Sequence, residues 1–193
     1  MRWILVLLTA IISGVLVGLA LFFLDAKLHF YLVLIFPMLG GIIIGAATYL
    51  PVVTKQVATL PLIIAAFIGC AIAVAIYWGG QYLTYQDELV ATIQETDPTA
   101  TREQALELVG EFEESVYQTR GFVAFLKAYA ETGITINRAT SSSDSGIELK
   151  DNLAYGFWIV EIILMVGAAI VGIVRREQGG LAKRFNPQAG QIA

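Results

Sequence analysis

One acidic residue lies inside a long apolar stretch near the end of the chain. Glu161 is part of the run NLAYGFWIVEIILMVGAAIVGIVRR, which covers Asn152–Arg176 and is long enough to cross a bilayer. A charged acid at the bilayer centre costs on the order of 2.5 to 3.5 kcal/mol on insertion scales. We therefore expect Glu161 to face protein, to stay protonated or to find a partner. Proton or cation transport is the chemistry that such a residue could support.

Two hydrogen-bond partners for Glu161 are expected in the same half of the bilayer. Tyr77 lies at a similar depth in the third apolar segment. Pro37, in the second segment, lacks a backbone N–H, which predicts a kink and leaves the carbonyl of Val33 without its usual donor. A hydrogen bond from protonated Glu161 to either group would hold helices together, and we favour this structural role over transport. Pairing with a basic residue of another subunit is a third option.

Few other residues could carry catalysis or bind a metal. Asp25, Lys27 and His29 form a cluster that could admit protons or a metal, although such clusters are more often solvated turns. One histidine cannot build a bis-histidine haem site or a three-histidine zinc site, and the single Cys70 is expected to pack as a small hydrophobe. The sequence contains no G-x-S-x-G, phosphate-loop, H-E-x-x-H or C-x-x-C motif. We therefore predict a protein that is not an enzyme, with no catalytic residue, cofactor or metal.

The elements that position Glu161 are apolar helices. Of the 193 residues, 57% are hydrophobic and 15% are charged, which is typical of a membrane protein. Residues 1–85 contain three runs long enough to span a bilayer, at about 3–24, 30–50 and 61–84, and 152–176 forms the fourth. The sequence therefore predicts an all-α integral membrane protein with four transmembrane helices and a small acidic α+β insertion between the third and fourth.

The predicted insertion, residues 86–151, holds 13 acidic and 5 basic residues and therefore has a net charge of −8. Its first residues could extend the third helix beyond the lipid. Thr101 and Gln104 then fit a capping box. Apolar residues follow at helical spacing, and they are Ala105, Leu108, Val109, Phe112 and Val116. We place the paired acids Glu113 and Glu114 on the solvated side of this helix.

A second amphipathic helix is predicted after the first, with Gly133 as its C-terminal stop. One face of this helix carries Phe122, Phe125, Leu126 and Tyr129. Beyond Gly133, residues 134–136 and 147–149 alternate apolar and polar residues on either side of a serine-rich tract. This pattern predicts a short β-hairpin, with a disordered linker as the alternative.

Basic residues flank the predicted spans on one side of the membrane. If four spans are crossed, this side carries Arg2, Lys55, Arg175, Arg176, Lys183 and Arg184. The positive-inside rule then places both termini and the tail 177–193 in the cytoplasm, and the acidic insertion outside it. We expect a bacterial inner membrane, with a thylakoid-like membrane as the alternative.

The interpretation we favour is a non-enzymatic accessory, scaffold or assembly subunit of a larger membrane complex or homo-oligomer. Expected partners are membrane lipid and other membrane subunits or copies of the same chain. The candidate contacts are Phe122, Phe125 and Tyr129, with mutual covering of these aromatic residues as the alternative, and the small residues Gly41 and Gly45, which also favour a compact helix bundle. A net charge of −4 argues against nucleic acid. One alternative is a small proton- or cation-coupled transporter or channel that uses Glu161. A weaker alternative is a quinone- or pigment-contacting subunit of an electron-transfer complex.

Overall fold

A computed structural model of the protein describes residues 2–28, 34–52, 58–136 and 147–185. Its elements, in chain order, are α1 (Arg2–Leu28), α2 (Ile35–Tyr49), a 3₁₀ turn (Leu50–Val52), α3 (Thr59–Thr96), α4 (Arg102–Tyr117), α5 (Phe122–Thr132), β1 (Ile134–Ile136), β2 (Ile147–Leu149) and α6 (Asn152–Phe185). Four helical segments are long and apolar enough to cross a membrane, and they are Trp3–Asp25, Ile35–Val52, Thr59–Thr96 and Asn152–Arg176. The described chain is almost entirely helical and has four helices that could span a membrane, in agreement with the predicted all-α membrane protein.

The chain divides into two compact units. The first comprises residues 1–77 and 160–193, and the second comprises residues 78–159. Helix α3 continues to Thr96, so the predicted extension of the third helix is confirmed. Helix α6 continues past Arg176 to Phe185, which places the first part of the predicted tail in a helix.

In the first unit, small residues let helices α1 and α3 approach closely. A Cβ atom added to Gly18 would lie 2.7 Å from the carbonyl oxygen of Ala73, and one added to Gly69 would lie 2.7 Å from that of Ala10. Only a residue without a Cβ fits at such a distance from backbone, and close approach of this kind is the usual way in which membrane helices associate. Cys70, next to Gly69, is buried as expected.

Gly41 and Gly45 bring α2 against α6 in the same unit. Both glycines are buried, and an added Cβ would overlap the carbonyl oxygen of Met165 at Gly41 and that of Ala169 at Gly45. We had expected these glycines to contact another subunit. The chain's own last helix occupies them instead, because their missing side chains leave a groove that the α6 backbone fills.

Pro37 lies in the first turn of α2, not in the middle of a helix. Leu34 has a positive φ of 71°, which ends helical geometry on the N-terminal side, so α2 begins at Ile35. A proline in a first turn removes no intrahelical hydrogen bond, since those N–H groups have no acceptor there. The expected interior kink is therefore wrong. Val33, whose carbonyl was the expected acceptor, lies outside the described residues.

The second unit contains the end of α3, the helices α4 and α5, and a small ladder. Strands β1 and β2 are antiparallel and pair Ile134 with Leu149 and Ile136 with Ile147. Two strands of three residues each do not form a sheet layer, so this unit is helical and the α+β description is not supported. The serine-rich tract between the strands lies outside the described residues.

Candidate functional site

The start of helix α4 is fixed by side chains that its sequence supplies. The Thr101 hydroxyl accepts the backbone N–H of Gln104 at 3.3 Å, and the Gln104 side chain accepts the N–H of Thr101 at 2.9 Å. This reciprocal pair is the predicted capping box, which is confirmed. Arg102 adds an exposed ion pair with Asp87 on α3, at 2.6 Å. The first turn of α4 is therefore held in one orientation against the end of α3.

Only half of the apolar surface of α4 is buried. Ala105 and Val109 pack against Val90 of α3, in a cluster that Leu89, Ile93 and Leu106 surround. The other apolar residues of α4 form a stripe four residues apart that stays exposed, at 48% for Leu108, 51% for Phe112 and 50% for Val116. We call these three residues the α4 stripe. The predicted helix is confirmed, but its apolar face is divided between a packed side and an open side.

Acidic residues accompany the α4 stripe on its solvent-facing side. Glu103, Glu107, Glu111 and Glu114 are all exposed. Glu114 is paired with Arg120, whose Nε donates to Oε2 at 2.6 Å. Within the described parts of the chain, Glu107 and Glu111 form no ion pair. The α4 stripe is therefore an apolar surface bordered by unneutralised negative charge.

Glu113 is buried and does not lie on the solvated side, as we had expected. It is 2% exposed, and its Oε2 accepts the backbone N–H of Gly121 at 2.6 Å. Gly121 has a φ of 71° and is the N-cap of α5, where it has no side chain to cap the helix. Glu113 therefore anchors the turn between α4 and α5. At 100° per residue, Glu113 lies between Val109 and Leu106 on the apolar arc of the helix, and this position predicts burial. We had instead grouped Glu113 with its exposed neighbour Glu114.

The other oxygen of Glu113, Oε1, is also buried. The Tyr85 side chain lies against this carboxylate, on the inner side of the hairpin. Tyr117, at the end of α4, is close enough to feel the same charge. Burial raises the pKa of Tyr117 above its usual value, and the carboxylates of Glu131 and Glu113 raise it further. The inner side of the α4–α5 hairpin is therefore a buried, negatively polarised environment.

A lysine of α5 bonds the last residue of α4, next to the same turn. Lys127 on α5 donates from Nζ to the backbone carbonyl of Tyr117 at 2.8 Å. Carbonyls in the last turn of a helix lack intrahelical donors, so a lysine there satisfies one of them and complements the helix dipole. Together with the Glu113 contact, this bond makes the hairpin a defined platform for the α4 stripe.

The aromatic residues of α5 are mostly covered by the chain itself. Phe125 is 1% exposed, and its ring centroid lies 5.3 Å from that of Tyr85 and 6.1 Å from that of Trp78. Tyr129 is half-buried and contacts Trp78 and Trp158 with edge-to-face or tilted rings. For these two residues we had left open contact with a partner or mutual covering, and they form the aromatic core of the second unit.

Phe122 differs from the other α5 aromatics because it stays 41% exposed. Its ring lies 5.7 Å from that of Tyr82, edge to face. Gly133 ends α5 with a φ of 81° and donates its N–H to the Tyr129 carbonyl at 3.1 Å, which confirms the predicted stop. Of the three aromatic contact residues that we predicted, Phe122 is the most exposed.

The intramembrane polar residues belong to the first unit. The Tyr77 hydroxyl donates to Oδ2 of Asp25 at 2.9 Å, a link between α3 and α1 that the sequence did not single out. Glu161 is half-buried, and its Oε1 is buried. The expected pairing of Glu161 with Tyr77 stays a prediction. His29, the third member of the connector cluster, lies outside the described residues, and where the structure is described, no three metal-ligating side chains come together.

Comparison with known proteins adds no relative to these observations. No family model, no curated protein and no solved structure matches this chain.

Proposed function

We propose that this integral membrane protein is a non-enzymatic accessory or assembly subunit of a larger membrane complex, formed with other membrane subunits or with copies of itself. The observation that carries the proposal is the α4 stripe. Leu108, Phe112 and Val116 lie on α4, outside the four helical segments that are long and apolar enough to cross a membrane, and each is about half exposed. A contiguous apolar surface that water would otherwise contact is typical of a protein interaction site.

The size of the α4 stripe is sufficient for a useful contribution to binding. Full burial of a Val, Leu or Phe side chain contributes roughly 1.5 to 3 kcal/mol, and each stripe residue is about half exposed. Covering the remaining half therefore contributes about 1 kcal/mol per residue, or about 3 kcal/mol for three. That value corresponds to roughly a hundredfold in a dissociation constant.

The proposal includes an orientation in the membrane. Arg175 and Arg176 end the last span, and the positive-inside rule favours a cytoplasmic location for them. Both termini then lie in the cytoplasm and α4 on the opposite side of a bacterial inner membrane. The α4 stripe would in that case meet extramembrane parts of neighbouring membrane proteins.

Copurification from native membranes tests the proposal. The tagged chain is extracted in a mild nonionic detergent, and the mass and composition of the particle are measured. We expect a stoichiometric complex that dissociates when Leu108, Phe112 and Val116 are all changed to serine. Val123→Ser is the matched control, because Val123 on α5 is 53% exposed and outside the α4 stripe. A wild-type chain that purifies alone and monomeric would contradict the proposal.

A proton- or cation-coupled function is the second candidate, and the burial of Glu161 Oε1 in a membrane-spanning helix favours it. The observation fits a carboxyl group that is protonated or that binds a cation within the first unit. Proton and cation fluxes into vesicles containing the purified protein provide the test. Transport that Glu161→Gln abolishes would support this candidate, whereas equal flux with and without the protein would exclude it.

A further inference from the structure

We infer that the α4 stripe binds a partner protein whose own apolar ridge is bordered by lysine or arginine residues. This inference rests on the proposed function and names the chemistry of the partner. It depends on two features of α4 that occur side by side, the exposed apolar residues and the acidic residues on their open flank.

The shape of the α4 stripe fits the side of a helix. Leu108, Phe112 and Val116 are spaced by four residues, so they form a continuous ridge two turns, or about 12 Å, long. Ridges of this spacing pack into the grooves between side chains of another helix. Amphipathic helices are recognised in this way, through apolar anchors at helical spacing.

The charges next to the ridge select among possible partners. At 100° per residue, Ala105 and Val109 lie about 20° and 60° from Phe112 on one side, and α3 covers them. On the other, open side, Glu111 and Glu107 lie about 100° and 140° from Phe112. A helix packed on the α4 stripe would place its own flank near Glu111, which lies about 60° beyond Leu108, with Glu107 farther round the helix adding to the same negative potential, so basic residues on that flank are favoured.

A second copy of the chain fits this surface poorly. In an antiparallel symmetric dimer through α4, the same flank of both copies lies on one side of the contact, so Glu107 and Glu111 of both copies would approach one another; in a parallel dimer they would face the flank that α3 covers. Like charges at such a contact are unfavourable. The acidic flank therefore favours a different protein over a homodimer through α4.

A lipid surface also fits poorly. Helices that lie on membranes carry lysine and arginine on their polar face, which anionic headgroups attract. Helix α4 has five glutamates and one arginine. Anionic lipid would therefore repel the flank that a basic partner protein would attract.

Charge reversal in native membranes tests the inference. A photoreactive phenylalanine analogue replaces Phe112 in the full-length chain, and the crosslinked product is identified by mass spectrometry. The double variant Glu107→Lys with Glu111→Lys removes the attraction and adds repulsion, and we expect it to lower the crosslink yield about fivefold or more. Glu103→Lys is the matched control, because Glu103 lies about 180° from Phe112 and should leave the yield unchanged.

The outcomes separate this inference from the proposed function. A crosslink to a different protein, with lysine or arginine beside the crosslinked residue and with loss on charge reversal, is the expected result. A crosslink to a second copy or to lipid, or a yield that charge reversal leaves unchanged, would overturn the inference. A copurifying complex with no crosslink at Phe112 would also overturn it, while the proposed function stands. The absence of any complex would overturn both.

Discussion

Replacing Gly41 with alanine is the sharpest single test of the packing between α2 and α6. The added Cβ would overlap the carbonyl oxygen of Met165 and lie 3.1 Å from the Cβ of Ala168. The Met165 oxygen is part of the α6 backbone, so no side-chain rotation can relieve the overlap. The two helices must therefore separate locally, which weakens the contacts that the glycine allows.

The expected loss of stability follows from two opposing terms. Overpacking a close contact costs typically about 1 to 3 kcal/mol. Alanine is a better helix former than glycine and recovers roughly 0.5 to 1 kcal/mol. The net loss is then roughly 0 to 2.5 kcal/mol, with a central value of about 1 kcal/mol, which lowers the unfolding midpoint of a chain of this size by roughly 2 to 4 °C. The measurement is thermal unfolding of the full-length protein in detergent at one fixed heating rate.

Gly167→Ala is the matched control for Gly41→Ala. Gly167 also lies in a membrane-spanning helix of the first unit, and a Cβ added there meets no atom within 4 Å. The same chemical change should therefore leave the midpoint unchanged or raise it slightly. Equal shifts for Gly41→Ala and Gly167→Ala would refute the close approach of α2 and α6.

Three further predictions concern the second unit. Phe125→Ala should lower the stability of the second unit by about 3 to 5 kcal/mol in denaturant unfolding, whereas Phe112→Ala, at a half-exposed position, should lower it by only about 1 kcal/mol. Glu113→Ala should accelerate hydrogen exchange of the Gly121 amide by removing its acceptor, and Glu113→Gln should preserve the protection, since an amide oxygen also accepts. Burial raises the pKa of Tyr117, so its contribution to stability is present below about pH 10 and lost as pH rises through the folded-state pKa. Absorbance titration against Tyr117→Phe should locate that ionisation above the usual tyrosine range, and a normal value would contradict the burial of this hydroxyl.

The spans and helix ends could be predicted because they depend on local sequence. Runs of about 20 apolar residues satisfy the length of a bilayer crossing, and the Thr101–Gln104 pair satisfies the first turn of α4. The start of α2 could not be predicted in this way, because a positive φ at Leu34 carries no signal in an apolar sequence. Local patterns therefore predict how many helices could span a membrane better than they predict where each helix begins and ends.

The candidate surface required the tertiary structure. Helical periodicity shows an apolar arc on α4, but it does not show which half of the arc α3 covers. Glu113 illustrates the same difficulty, because a carboxylate beside apolar residues is buried only where a donor such as the Gly121 N–H is available. The aromatic residues of α5 repeat at helical spacing, as the apolar residues of α4 do. Phe125 is nevertheless covered by Tyr85 and Trp78 of its own chain.

Cysteine labelling at position 112 tests the central claim most directly. The only native cysteine, Cys70, is buried, so a maleimide added to the Phe112→Cys variant reports on position 112. Glu95→Cys, at an exposed residue at the end of α3, is the control. We expect Phe112→Cys to be protected in native membranes and labelled after the chain is purified alone, with Glu95→Cys labelled in both. Equal labelling of Phe112→Cys in native membranes and in the purified chain would contradict the proposal that a partner covers α4.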